Sequence, residues 1–329
     1  MHWIPASNNM DKLLEVHNLK TYFYTAEGIV KAVDGVDFSV GAGETLALAG
    51  ESGCGKSITA LSILRLVPEP GRSISGEILF RGRDLLKLRD EEIRQVRGKE
   101  ISMIFQDPFT SLNPVFTVGD QIGEAIKIHS DSNLQQKDIF DRVVKMLALV
   151  EMPSPENYFY YYPHQLSGGM QQRAMIAMAL SSSPSLLIAD EPTTALDLTI
   201  QAQILQLLKR LKQRFNMSMI LITHNLGIIR EVADSIAIMY VGRIVEYTTR
   251  DLLFANPLHP YTTGLLNAVP RIRERRKLYV IPGAIPSPLD LPSGCKFHPR
   301  CEKKLEKCDR EEPPLKEILP GHLCRCWLY

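Results

Sequence analysis

The stretch TLALAGESGCGKSITALSILRL (residues 45–66) joins a short apolar run to a helical run through a glycine-rich loop. The apolar run stops at Gly50, which is typical of a buried strand. The loop GESGCGKS (50–57) fits the pattern G-x-x-x-x-G-K-[ST] and lies between the strand and the helix, where a phosphate-binding loop requires it. This stretch therefore predicts an α/β protein that holds a phosphate group.

The loop has the chemistry of a phosphate cradle. Its glycines let successive backbone N–H groups point at one spot, and the first turn of the following helix adds partial positive charge. Lys56 can reach the β- and γ-phosphates of a nucleotide, and the Ser57 hydroxyl can bind Mg²⁺. The alternative is a glycine-rich turn that matches by chance. The predicted nucleotide contacts are Gly50, Ser52, Gly53, Cys54, Gly55, Lys56, Ser57 and Ile58.

Further apolar runs at 101–106, 185–190 and 217–223 alternate with helical stretches, which predicts a largely parallel sheet. The segment from about 107 to 184 is too long for a loop and has helical periodicity, so we expect a helical subdomain. Residues 235–247 alternate about Gly242 and predict a hairpin.

The composition is that of an ordinary globular protein of about two domains. The chain has 329 residues, 45% of them hydrophobic and 23% charged, and 38 Lys and Arg nearly balance 37 Asp and Glu. This balance does not call for a nucleic-acid partner. No apolar run is long enough to cross a membrane and the N-terminus is too polar for a signal peptide, which predicts a cytosolic chain that reaches membranes through a partner.

A second phosphate-directed motif is LIADEP (187–192), an apolar strand that ends in two carboxylates. Asp190 is predicted to hold Mg²⁺ through a water molecule, and Glu191 to accept a proton from an attacking water. An acidic loop that caps the following helix is the alternative.

LSGGMQQR (166–173) opens another helix and so provides a second anion-binding N-terminus. Two cradles on one chain suggest a nucleotide site shared between two chains. The sequence here resembles the ATP-binding subunit of ATP-binding-cassette (ABC) transporters over about residues 11–270. The motifs follow the family's order: the loop 50–57, Gln106, the run 166–173, the strand end 187–191, TALD at 194–197, and His224.

The resemblance implies a P-loop ABC ATPase core, an α/β fold with a mixed sheet, in which ATP lies between the loop of one chain and the second cradle of the other. It implies that Phe23 stacks on adenine, although Tyr22 and Tyr24 compete for this role, and that Gln106 senses Mg²⁺ or water. His224 would contact the γ-phosphate, and Asp197 would link the two shared sites unless it is a plain helix N-cap. Ser167, Gly168, Gly169 and Gln171 are the predicted ATP contacts in the second cradle.

Two further segments, NPLHPYTTGLL (256–266) and IPGAIPSPLDLPSGCKFHPRC (281–301), resemble the tail of ATPases of bacterial dipeptide and oligopeptide importers. This resemblance implies that the chain powers peptide import and that it lies at the cytoplasmic face of the membrane. It also implies two permease subunits, an extracytoplasmic peptide-binding protein, and a homodimer or a heterodimer with a paralogous ATPase.

The composition changes near Pro270, which predicts a Cys-rich C-terminal domain at 271–329 with little core of its own. Lys and Arg outnumber Asp and Glu there by 13 to 8, the run RIRERRK (271–277) is interpreted as a solvated linker, and the Pro-rich segment 281–293 as a tether. Five of the six cysteines lie in the last 35 residues.

These cysteines favour a metal centre over disulfides, which are rare in a reducing cytosol. Their spacing differs from the short C-x2-4-C pairs that zinc prefers. Four thiolates can hold a [4Fe-4S] cluster, and the resemblance implies one, with zinc and unligated cysteines as alternatives. The candidate ligands are Cys295, Cys301, Cys308 and Cys326, with Cys324 as a rival fourth ligand.

Two other functions stay open at the level of sequence. ABC proteins also act in translation or DNA repair, but those commonly have two cassettes or a coiled-coil insertion. The chain could instead be an iron–sulfur regulatory module that binds nucleotide without hydrolysing it, against which the intact LIADEP and His224 argue.

Overall fold

The computed structural model describes residues 12–130, 134–194, 196–269 and 279–329. These residues form two compact units, one made of the chain up to Lys87 and from Leu221 onward, the other of Leu88–Ile220. This division differs from the predicted boundary near Pro270, which itself lies outside the described residues together with the basic run 271–277. The domain limits drawn from the sequence therefore stay a prediction.

The first unit begins with an antiparallel sheet of order β2-β1-β4-β5 and the strand and helix that flank the glycine-rich loop. Its elements are β1 (Lys12–Thr25), β2 (Gly28–Gly41), β3 (Thr45–Ala49), α1 (Lys56–Ile63), β4 (Gly71–Phe80) and β5 (Arg83–Asp84). All five residues of β3 are buried, as its mostly apolar sequence predicts.

The second unit is mostly helical. Its elements are α2 (Asp90–Val96), β6 (Ile101–Ile104), α3 (Pro108–Ser111), α4 (Val118–His129), α5 (Gln136–Leu149), α6 (Pro155–Tyr158), α7 (Gly168–Leu180), β7 (Leu186–Asp190), α8 (Leu198–Phe215) and the start of β8 (Ser218–Thr223). Strands β6 and β7 pair in parallel. Five α-helices therefore lie among the described residues of the segment 107–184, for which the sequence predicts helical structure.

The chain then returns to the first unit with α9 (Leu226–Val232), β9 (Ser235–Tyr240), β10 (Arg243–Thr249), α10 (Arg250–Ala255), α11 (Pro260–Ala268), β11 (Lys316–Leu319) and β12 (His322–Cys324). The strand order is β11-β12-β10-β9-β3. Strand β3 is parallel to β9, whereas β9 and β10 form an antiparallel hairpin. The predicted mixed-sheet α/β fold, the strands and the hairpin at 235–247 are confirmed.

Parts of the C-terminal tail pack into the first unit, whereas most of the segment 281–293, predicted as a tether, is exposed and has no helix or strand. The prediction that the tail has little core of its own stays a prediction. Ile281 and Phe297 are buried in the same cluster as Tyr240 and Tyr261. The Phe297 ring lies edge-on to Tyr240, with 5.2 Å between centroids. Strand β12 pairs with β10 and extends its sheet. Apolar residues spaced far apart among the prolines supply this packing.

A buried polar network explains the LHP sequence at 258–260. Glu246 accepts hydrogen bonds from the N–H groups of Leu258 and His259, at 2.8 and 2.9 Å, and lies 2.7 Å from His322 Nε2. His259 caps α11, because its Nδ1 accepts the N–H of Tyr261 at 3.1 Å. Burial lowers the pKa of His259 to about 4. The imidazole is therefore neutral in the folded protein at pH 7.

This histidine makes folding stability depend on pH. Its pKa in the unfolded chain is close to 6.5, so between pH 6.5 and 4 the unfolded chain binds a proton that the folded chain does not. The stability that His259 contributes is present above pH 6.5 and is lost as pH falls toward 4, by about 3 kcal/mol. We expect urea unfolding to show a shallower pH dependence for His259→Asn, which keeps a cap acceptor but does not titrate. An unchanged dependence would contradict the assignment.

Candidate functional site

The glycine-rich loop follows β3 and depends on glycine at two close approaches. Gly50 has φ +153° and Gly55 has φ +104°, and a Cβ atom on either would lie 2.2 Å from a backbone oxygen, of Met239 and Ala32 respectively. Gly53 has φ +78° with open space around it. The loop is thus held tightly at its two ends and leaves room at its centre for a ligand.

Lys56 lies inside the curl of this loop. Its Nζ donates to the carbonyl oxygens of Gly50 and Glu51, at 2.9 and 3.0 Å. Cys54 is buried beneath the loop, with Sγ 3.7 Å from Lys56 Nζ, and burial raises the pKa of the thiol. A buried neutral thiol fits the interpretation that Cys54 fills space.

The rest of the predicted phosphate contacts lie on the same surface. Ser52 is exposed in the loop, and Ser57 and Ile58 are half-buried in the first turn of α1. Because α1 begins at the loop, the partial positive charge of its N-terminal turn lies beside the loop. The loop can therefore hold an anion through its own backbone.

Three aromatic residues at the end of β1 have different surroundings. The Tyr22 hydroxyl donates to Asp34 at 2.5 Å, and the Tyr24 ring lies 4.6 Å from the Arg72 guanidinium. Phe23 pairs with Gly71 of β4, where a Cβ atom would lie 2.5 Å from its ring. The role of Phe23 in stacking on adenine, with Tyr22 and Tyr24 as competitors, stays a prediction.

His224 follows β8 directly and is exposed in the first unit. The next residue, Asn225, caps α9 by accepting the N–H groups of Gly227 and Ile228, at 2.9 and 3.4 Å. Asparagine therefore does the capping that an aspartate would do at this position. His224 is left at the strand end with its side chain directed out of the core.

In the second unit, Gln106 and Glu191 meet. Gln106 Nε2 donates to Glu191 Oε2 at 3.0 Å, and Thr194 Oγ1 donates to the same oxygen at 2.8 Å. Glu191 has φ +44°, an uncommon backbone conformation for a residue with a side chain. Asp190, the last residue of β7, is buried.

Sequence reasoning predicted Gln106 and Glu191 separately and missed their contact. A usable signal was present: both follow strands, and β6 and β7 are parallel neighbours, so the carboxyl ends of the two strands meet at one edge. Thr194, the first residue of TALD, was also missed as a partner of Glu191. The arrangement holds the Glu191 carboxylate in a defined position, next in sequence to the buried Asp190.

The second cradle begins at Ser167, which caps α7 by accepting the Met170 N–H at 3.4 Å. Gly168 starts the helix. At Gly169 a Cβ atom would lie 2.8 Å from Ile200 Cγ2, so the helix approaches α8 closely there. Asp197 caps α8 by accepting the N–H groups of Thr199 and Ile200, both at 3.0 Å.

The prediction that Gln171 contacts ATP stays a prediction. The Gln171 side chain is buried, and Nε2 donates to the carbonyl oxygens of Pro163 and Leu166, at 2.8 and 3.4 Å. It therefore holds the turn that precedes the cradle.

The C-terminal cysteines lie in one region as free thiols. The Cys295 N–H donates to the Cys308 oxygen at 2.8 Å. Burial raises the pKa of Cys295 to about 11, and the neighbouring thiols of Cys308, Cys326 and Cys301 add to this rise. Within the described ranges, however, no group of three or more His, Cys, Asp or Glu residues has an arrangement that could hold a metal ion.

Cys324 and Cys326 are hydrogen-bonded to each other, which raises the pKa of Cys324 and lowers that of Cys326 to about 7. Both pack against Leu258.

In the part of the chain that the structure describes, no helix combines the length and apolar character needed to cross a bilayer.

Comparison with known proteins gives two family matches. Residues 33–194 match the ABC transporter family, and residues 245–308 match the C-terminal region of oligopeptide/dipeptide transporters. The oligopeptide transport ATP-binding protein AppD of Bacillus subtilis is 52% identical, over 97% of this chain and 98% of AppD. The oligopeptide transport ATP-binding protein OppD of Escherichia coli is 48% identical, over 98% of this chain and 95% of OppD.

The fold also matches solved structures. The ATP-binding cassette MJ0796, in a dimeric post-hydrolysis state bound to ADP and Pi, superposes with a TM-score of 0.65 at 26% identity. The match covers 72% of this chain and 98% of that cassette.

Proposed function

This chain belongs to the ABC transporter family and is an ATPase, and we propose that it powers the import of peptides through a membrane permease. The observation that carries the proposal is the match of residues 245–308 to the C-terminal region of oligopeptide/dipeptide transporters. The relatives named above, which align over nearly their whole length, are peptide transport proteins. ATPase motifs alone carry no information about the transported molecule.

In the proposed mechanism the loop 50–57 wraps the phosphates of ATP. Lys56 exchanges its contacts with the loop carbonyls for phosphate oxygens, and the backbone N–H groups at the start of α1 bind the rest of the charge. Phe23 stacks on adenine. Mg²⁺ would be held by Ser57, by Gln106 and, through water, by Asp190, and would neutralise charge that develops on the phosphates.

Hydrolysis in this proposal needs a water molecule from which Glu191 removes a proton. Gln106 and Thr194 hold the Glu191 carboxylate in one orientation, and in this orientation it acts as the base. His224 contacts the γ-phosphate. In the nucleotide-bound dimer, the cradle of each protomer, Ser167 to Gly169, contacts the ATP that is held by the phosphate loop of the other protomer.

The proposed setting is the cytoplasmic face of a membrane, where two ATPase subunits engage two permease subunits and a peptide-binding protein delivers the cargo. Both the homodimer and the heterodimer with a paralogous ATPase fit the symmetry of such a site. The test is to purify the chain with its permease in lipid and measure ATP hydrolysis. Hydrolysis should rise when the peptide-loaded binding protein is added. A rate that no peptide changes would contradict the peptide assignment.

We propose that the tail cysteines bind a [4Fe-4S] cluster, with zinc as the alternative metal. The support is chemical: Cys295, Cys301, Cys308 and Cys326 bring four soft ligands into one region. The described arrangement does not fit a metal site as it stands, so no step of ATP hydrolysis is assigned to the cluster.

A cluster makes a direct prediction about the purified protein. We expect a brown chain with about four iron atoms per molecule, whose visible absorbance bleaches with dithionite and is lost in Cys301→Ser. Colourless protein with stoichiometric zinc would decide for the alternative. Protein without either metal would contradict both.

A further inference from the structure

A buried ion pair joins the C-terminal tail to the phosphate loop. Arg300 donates from Nη1 to Glu51 Oε2 at 2.7 Å and from Nη2 to Glu51 Oε1 at 3.1 Å. Glu51 is the second residue of the loop GESGCGKS. Only 4% of the Arg300 side chain is exposed, compared with 25% of Glu51. Such a paired, shielded contact is stronger and more directional than a surface ion pair.

The tail holds Arg300 in place before it meets the loop. Its Nε donates to the Pro282 oxygen at 3.0 Å. The guanidinium lies 5.8 Å from the centroid of the Tyr240 ring and 5.9 Å from that of Phe297. The side chain therefore has little conformational freedom to lose when it binds Glu51.

A second contact from the same region reaches the backbone of Glu51. The Glu51 N–H donates to the Tyr261 hydroxyl oxygen at 2.8 Å. Tyr261 is buried, and its ring lies 5.4 Å from that of Phe297. Both the main chain and the side chain of Glu51 are thus held by residues beyond position 260.

These contacts matter because the loop must accept a polyanion. A carboxylate within the loop repels phosphate unless a cation neutralises it, and Arg300 supplies that cation. The Glu51 carbonyl oxygen also accepts from Lys56 Nζ, so movement of Glu51 disturbs the lysine. The contacts connect the tail, the loop and the phosphate-binding lysine through a single residue.

We propose that Arg300 is a positioning residue for ATP binding, through which the C-terminal tail holds the phosphate loop by way of Glu51. This inference rests on the proposed role of the loop as the ATP site. Arg300 itself does not contact the nucleotide. It sets the conformation and the net charge of the phosphate loop, and the loop contacts the nucleotide.

The test is a double-mutant cycle on the full-length chain, with AMP-PNP and Mg²⁺ as the probe in calorimetric titrations. Arg300→Met should weaken binding by about tenfold to a hundredfold, because Glu51 loses its charge-assisted hydrogen bonds and repels phosphate. The double variant Arg300→Met/Glu51→Gln should recover most of the affinity. The KM for ATP of Arg300→Met should rise while its kcat at saturating ATP stays close to wild type.

Lys304→Met is the matched control, because Lys304 lies in the same tail and pairs with Asp309 at the surface, 2.8 Å away. It should bind AMP-PNP as the wild type does. Wild-type affinity of Arg300→Met would overturn the proposal. A double variant that binds as weakly as Arg300→Met would also overturn it, since the effect would then be a loss of structure.

If Arg300→Met does not fold, Arg300→Lys gives the same test. It keeps the charge but loses the two-point contact, so binding should weaken in the same direction but less, and unchanged binding would overturn the proposal. Loss of the ATP site itself is recognised separately, through Lys56→Ala. If Lys56→Ala abolishes binding and Arg300→Met has no effect, only the role of Arg300 fails.

Discussion

Glu191→Gln should bind ATP but hydrolyse it about 10²–10⁴-fold or more slowly than the wild-type chain, the usual scale for removal of a general base. The amide has nearly the same size as the carboxylate but cannot accept the proton of the attacking water. Its oxygen can still accept the hydrogen bonds from Gln106 and Thr194, so the loop after β7 should keep its conformation. The slower hydrolysis would therefore reflect the loss of the general base and not a change in the conformation of the loop.

The measurement is single-turnover hydrolysis of ATP in the transporter complex, with nucleotide affinity measured in parallel. Glu124→Gln is a matched control, because it makes the same substitution at an exposed position of α4 in the same unit. It should hydrolyse ATP normally. A Glu191→Gln variant with turnover close to wild type would show that another group activates the water.

Lys56→Ala should lose detectable binding of ATP. Its ammonium group is the one side-chain cation placed by the loop itself, and its contacts with the Gly50 and Glu51 oxygens keep it inside the curl where the phosphates bind. Without it, the backbone N–H groups alone face the charge of the triphosphate. The β- and γ-phosphates then lose their strongest electrostatic partner.

Calorimetric titration of ATP into the full chain checks this, with Lys87→Ala as the control. Lys87 lies on the surface of the same unit, where it pairs with Asp84 at 2.9 Å, and its side chain is 73% exposed. We expect wild-type affinity from the control. If Lys56→Ala binds ATP as tightly as the control, the loop is not the nucleotide site.

The strands and the phosphate loop could be predicted from sequence because their signals are local. A buried parallel strand is apolar along most of its length, as 46–49 and 186–189 are, and backbone that approaches other backbone closely requires glycine, as at Gly50 and Gly55. Helix caps are local as well, which is why Ser167 could be placed at the start of a helix.

Contacts between distant segments carry no comparable signal. Glu51 and Arg300 are 249 positions apart, and nothing near either residue predicts the other. The packing of the tail was missed for the same reason, since Phe297 finds its partners at Tyr240 and Tyr261. The contacts of Gln171 with the Pro163 and Leu166 carbonyl oxygens were missed as well, because the motif itself gives no sign of them.

The central claim is that two protomers grip each nucleotide together, one through its phosphate loop and the other through the cradle at Ser167. Sedimentation velocity of Glu191→Gln, together with any paralogous ATPase of its transporter, tests it most directly. We predict dimers with ATP and Mg²⁺ and monomers without nucleotide, and no dimers when Ser167→Arg is added. A chain that stays monomeric with ATP, and whose wild-type form hydrolyses ATP at the full rate as a monomer, would contradict the claim.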